Sequence, residues 1–92
     1  MRLSNDEYPV QITGEYVSED DAFHPIVLTR LSMQHCIAAQ CADAPAPGSR
    51  VSLWIGALGP WSAKVDEASR ASLRLRFEAP LDALVLLHFV GH

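Results

Sequence analysis

Cysteine is scarce in this chain of 92 residues: Cys36 and Cys41 are the only two, and they form no Cys-x-x-Cys pair. Neither a zinc knuckle nor a disulfide framework can therefore be the basis of its fold. The two cysteines fall in one predicted strand over 36–42. An odd separation there sends their side chains to opposite faces, about 16 Å apart at the usual rise per residue. They are expected to be reduced, half-buried thiols.

Positive charge is also in short supply, with seven Lys and Arg against eleven Asp and Glu and a net charge of -4. This balance argues against nucleic acid and anionic membrane as partners, because both need an excess of Lys and Arg to displace counterions from phosphate. Long apolar runs are missing too. The longest, 81–90, is broken by Asp82 and His88 and falls short of the roughly 20 residues needed to cross a bilayer. No apolar stretch follows the charged start MRLSNDEY, so the expectation is a cytoplasmic chain with no membrane insertion. There is no internal repeat and no low-complexity segment; 43–49 (DAPAPGS) is a Pro-rich surface loop.

What the chain does have is an apolar share of 49%. At this length that is enough for one compact domain over 1–92 that buries roughly 60 to 65% of its unfolded surface without a metal or cofactor. Period-two alternation dominates. Val10, Ile12 and Tyr16 share a face over 8–18, with Gly14 expected at a bulge or bend. In 26–33 the pattern is mixed: Ile26, Leu28 and Arg30 fall on one side, Val27, Thr29, Leu31 and Met33 on the other. Val51, Leu53 and Ile55 align over 50–55, GALGP (56–60) supplies a hairpin turn, and Trp61, Ala63 and Val65 alternate over 61–66. The clearest strand is SLRLRFEA, with Leu73, Leu75 and Phe77 inward and Arg74 and Arg76 outward. Short strands at this spacing predict a small antiparallel barrel or sandwich.

Pro80 marks a change of period. Strong helix formers, an early Asp82 and the terminator Gly91 predict a helix over about 81–90. It is apolar nearly all round, so a barrel mouth can cover Leu84, Leu87 and one of Val85 or Val90 while other apolar residues call for a lid or partner; the alternative is that the barrel buries everything.

Several constellations could carry chemistry. Ser32 and His35 stand three apart, a spacing open to a nucleophile and base, but no Gly-x-Ser-x-Gly elbow and no third, acidic member is identifiable, so an enzyme is not expected. A Ser satisfying strand-end backbone is the preferred account. His88 and His92 could share a helix face, yet a solvated helix end explains them better. Glu19, Asp20 and Asp21 lack the spacing of a calcium loop and no metal site is expected. Arg74 and Arg76 make a basic stripe, with Arg50 or Arg30 as candidate neighbours, for which solvated edge protection is the preferred account. Trp54 and Trp61 flank the GALGP turn, where an exposed aromatic would suit a partner.

The segments Arg30-Leu31-Ser32-Met33-Gln34-His35, Gly48-Ser49-Arg50-Val51-Ser52-Leu53 and Leu73-Arg74-Leu75-Arg76-Phe77 resemble, in order and spacing, the (Asp/Asn)-x-Ser-x-x-Gly, Gly-x-x-Val-x-Leu and late-Phe motifs of the PilZ family. GALGPWSAKV and FEAPLDALVLLHF are similar to short bacterial PilZ domains, and the likeness covers about 25–89. It implies a mainly β fold, a six-stranded antiparallel barrel with strands within about 8–79 and one C-terminal helix. It also implies a place in type IV pilus, motility or second-messenger signalling.

In that family, paired arginines ahead of the first strand and the (Asp/Asn)-x-Ser-x-x-Gly turn hold cyclic di-GMP. Bidentate, stackable guanidinium groups suit two phosphates and two guanines. Here only Arg2 precedes the first strand, beside Asp6 and Glu7. Arg30 replaces the acid or amide, and His35 replaces the glycine. The resemblance thus implies a degenerate, PilZ-like domain that has lost the nucleotide site and works by protein–protein interaction; the surfaces expected to serve it are the Trp-flanked hairpin and the apolar helix, with Trp54, Trp61, Leu84, Leu87 and Phe89, and a homodimer is compatible with it. The alternative is a cyclic di-GMP receptor with a non-standard site at Arg30, Ser32, His35, Arg74 and Arg76.

Overall fold

The computed structural model describes residues 7–39, 45–69 and 72–90. Six strands, β1 (Tyr8–Val17), β2 (Phe23–Leu31), β3 (His35–Ala39), β4 (Arg50–Ile55), β5 (Leu58–Ala68) and β6 (Ser72–Phe77), precede one helix, α1 (Ala83–Val90). All neighbours are antiparallel, and the order β1-β2-β3-β6-β5-β4 closes on itself as a barrel. The mainly β, six-stranded barrel with one C-terminal helix is thus the fold of the chain. Cys41 and the far end of the strand expected over 36–42 lie outside the described residues, as do Arg2, Asp6, Gly91 and His92.

Alternation builds the core. Val51, Leu53 and Ile55 of β4, Ala63 and Val65 of β5, and Leu73, Leu75 and Phe77 of β6 all point inward and are buried, as their period-two spacing dictates. Tyr16, Ile26, Leu28, Leu31, Cys36 and Ala38 complete the interior.

The mixed pattern of β2 has a physical cause. Leu28 opposes Ala38 while Arg30 opposes Ile37, so Thr29 is an extra residue in β2 and the ladder shifts there. A bulge of one residue reverses the facing of everything beyond it. Leu31 is therefore buried and Arg30 exposed, the reverse of uninterrupted alternation. β1 answers with its own extra residue between Pro9 and Ile12.

Gly14 is not that bulge. It sits in regular register between Ile26 and Ile55, and a Cβ there would lie 2.4 Å from the Trp54 carbonyl oxygen, so glycine permits close approach of two backbones. The turn after β4 is also tighter than expected. It is Gly56-Ala57, with Gly56 at φ +60°, and β5 begins at Leu58.

The helix starts later than its period suggests. Asp82 caps it, its Oδ1 accepting the Leu84 N–H at 2.8 Å. Leu81, before the cap, is buried with Leu86, while Phe89 and Val90 pack against the core. The expectation that the barrel covers Leu84 and Leu87 is corrected: they are 76% and 51% exposed. The helix begins two residues later than expected, and the stripe it turns inward falls on Leu86. Among the described residues, no helix is long and apolar enough to cross a membrane.

Candidate functional site

The tight connection between β2 and β3 is closed by a serine. Ser32 is fully buried, and its Oγ accepts the N–H groups of Gln34 at 3.2 Å and His35 at 3.1 Å. Its hydroxyl proton faces the His35 carbonyl oxygen at 3.1 Å and His35 Nδ1 at 3.3 Å. The Ser32 N–H donates to the His35 carbonyl at 2.8 Å. The side chain thus supplies the partners a turn needs, and among the described residues only Asp21 is a non-glycine with positive φ, so no glycine is required here.

The turn is clamped from below as well. The Phe77 N–H donates to the Gln34 carbonyl and the Leu81 N–H to the Met33 carbonyl, tying it to the end of β6 and the approach to α1.

His35 then organises a polar cluster on the outer wall. Its Nε2 contacts the carboxylate of Glu7, and Arg74 Nη2 lies 3.2 Å from the same nitrogen. A ring protonated at Nε2 donates to Glu7 and leaves Nδ1 to accept from Ser32. Arg74 is then a charge neighbour of that corner, not a donor to it. Asp66 continues the cluster, meeting Arg74 Nε at 3.6 Å and Arg76 Nη2 at 3.3 Å. Five groups from the approach to β1 and from β3, β5 and β6 meet in one cluster of acids and bases.

Of the residues singled out in the sequence, Ser32, His35, Arg74 and Arg76 are brought together. Arg30 is on the adjoining wall, opposite Pro9 and Ile37, with no ion pair among the described residues. In the sequence Glu7 stands out only as an acidic neighbour of Arg2. The signal that finds it is the register: Tyr8 opposes Leu31, which sets residue 7 beside residue 32. Trp54 and Trp61 do not form one patch. Trp61 opposes the inward Leu53 and meets the Phe89 ring edge-on at 6.3 Å, whereas Trp54 alternates to the outer face.

Ser32, His35 and Glu7 form a chain of the kind that activates hydroxyls, but the serine cannot be approached. Its oxygen already accepts two N–H groups and is shielded from solvent. Its role in the geometry is to hold the turn. Among the described residues, no group of His, Cys, Asp and Glu is placed to hold a metal ion.

Fold and site together define a small closed antiparallel barrel whose β2–β3 turn carries an internally paired acid–base cluster. Comparison with family models, curated proteins and solved structures gave no match.

Proposed function

We propose that the chain is a degenerate PilZ-like domain that works as a cytoplasmic protein-interaction adaptor, in pilus, motility or second-messenger regulation, without cyclic di-GMP and without catalysis. The observation that carries the reading is the pair Leu84 and Leu87, two apolar side chains of α1 that the core leaves exposed, next to the half-buried Phe89. Leucines at this spacing on one helix face suit an apolar groove of a partner.

Glu7 supports the absence of nucleotide. In the resemblance the Ser32–His35 turn is where ligand guanine and phosphate would lie, and there a carboxylate already engages the imidazole. A phosphate would have to displace it and then face it.

Calorimetric titration with cyclic di-GMP to high micromolar concentration tests the nucleotide half. No saturable heat is expected; saturable heat abolished by Arg30→Ala would replace the adaptor with a receptor. For the interaction half, Leu84→Asp with Leu87→Asp is expected to strip specific partners from the chain in pull-downs while leaving its amide spectrum intact. An unchanged partner set would remove α1 from the reading.

A further inference from the structure

Arg50, Lys64, Arg76 and His35 stand directly opposite one another in a single row across β4, β5, β6 and β3, running away from the Ser32 turn. All four face outward, since their chain neighbours Val51, Val65, Leu75 and Cys36 are buried. Like charges opposed across strands destabilise a sheet unless each is neutralised. Three are: Arg50 Nε pairs with Glu78 at 3.0 Å, Arg76 Nη2 with Asp66 at 3.3 Å, and His35 with Glu7. Lys64, flanked by two guanidinium-bearing strands, has no ion pair among the described residues.

The Lys64 side of this row opens into a surface cleft of about 590 Å³, lined among others by Ser18, Glu19, Asp21, Arg50, Ser52 and Lys64. Its two lips carry opposite charge. Asp20, between the acidic residues, is committed to its own turn: hydrogen bonds from Ser18 Oγ and the Ala22 N–H hold its carboxyl below the usual range. Glu19 accepts the Arg50 backbone N–H at 3.4 Å, and Asp21 has no ion pair among the described residues.

We propose that this cleft docks a segment of a partner protein that carries an acidic and a basic side chain close together, the carboxylate on Lys64 and the cation on Glu19 and Asp21. Charge complementarity argues for that occupant. A continuous phosphate backbone would satisfy Lys64 but run against Glu19 and Asp21, on a chain whose net charge is -4. A protein segment can match both signs, and the hydroxyls of Ser18 and Ser52 can serve its backbone. Alternating turns place the cleft at the opposite end of the barrel from α1 and the Ser32 turn, so it stands whether or not the preceding reading holds.

The test is an amide-shift titration of the full chain with two blocked five-residue peptides, GEGKG and GEGEG, and with a short DNA duplex. GEGKG is expected to shift Gly48, Ser52 and Lys64 saturably, with a dissociation constant about tenfold below that for GEGEG. Lys64→Glu should abolish the shifts and Lys64→Arg should keep them, each variant retaining the parent spectrum elsewhere. The proposal is overturned if GEGKG gives no saturable shift, if GEGEG or DNA binds the same residues as tightly, or if Lys64→Glu changes nothing.

Discussion

Glu7 and His35 lie 28 residues apart in the chain, yet the carboxylate of one contacts the imidazole of the other, fastening the approach to β1 onto the start of β3. The contact is only partly shielded, with the side chains 16% and 25% exposed on the His35 and Glu7 sides. Glu7→Gln should therefore cost about 1 kcal/mol in urea unfolding, the usual worth of one hydrogen bond to a charged group less solvent screening. The amides of Gln34, His35 and Arg74 should shift with it. Unmoved amides would mean that the contact does not persist in solution.

Ser32→Ala removes the buried oxygen that accepts the Gln34 and His35 N–H groups and is expected to destabilise the chain by about 1–2 kcal/mol. Hydrogen exchange should accelerate at Gln34 and His35 in particular. A loss spread evenly over the barrel would argue that the serine packs and does not cap.

Gly14→Ala places a methyl carbon against the Trp54 carbonyl, a backbone atom with no rotamer to escape into. A loss of about 2–3 kcal/mol is expected, as for overpacked cores. Gly56→Ala is expected to cost less: the turn there is open to solvent and the added carbon meets nothing, so only the strain at φ +60° remains.

Burial pushes the Cys36 thiol from 9.0 up to about 12. The folded state thus holds its proton more tightly than the unfolded chain. Its contribution is complete below pH 9 and drains away as pH rises through 9 toward 12, by about 4 kcal/mol in all. Relative to a Cys36→Val chain, the parent should lose stability across that window and keep a constant difference below it. In a Cys41→Ser background, Cys36 should react with a thiol reagent only at the rate of unfolding.

Ser18→Ala removes the first cause of the lowered Asp20 carboxyl, so the Asp20 side chain should titrate closer to its ordinary value in a carbon-detected pH series. An unchanged midpoint would mean that the Ala22 N–H alone holds it.

Much of the barrel was legible in the alternation of β4, β5 and β6, because each of those strands buries one face and exposes the other without interruption. β2 was not, because the extra residue at Thr29 inverts its facing midway, and a bulge leaves no mark in composition. The helix was placed to within two residues by Pro80 and by its helix formers, but with nearly every position apolar the pattern had no polar stripe to set its rotation. Leu86 turned out to be inward where Leu84 and Leu87 were expected. The role of Ser32 in satisfying strand-end backbone was legible and agrees with the N–H groups its oxygen accepts, but the link from His35 to Glu7 was not.

By itself, then, the sequence determined that the chain builds short antiparallel strands followed by a terminal helix, because hydrophobic periodicity and turn chemistry are local. The tertiary structure alone decided which charges meet: that Glu7 reaches His35, that Asp66 joins Arg74 to Arg76, and that Lys64 is left beside a two-signed cleft. Those contacts depend on strand register and barrel closure, which bring together residues that no spacing along the chain relates.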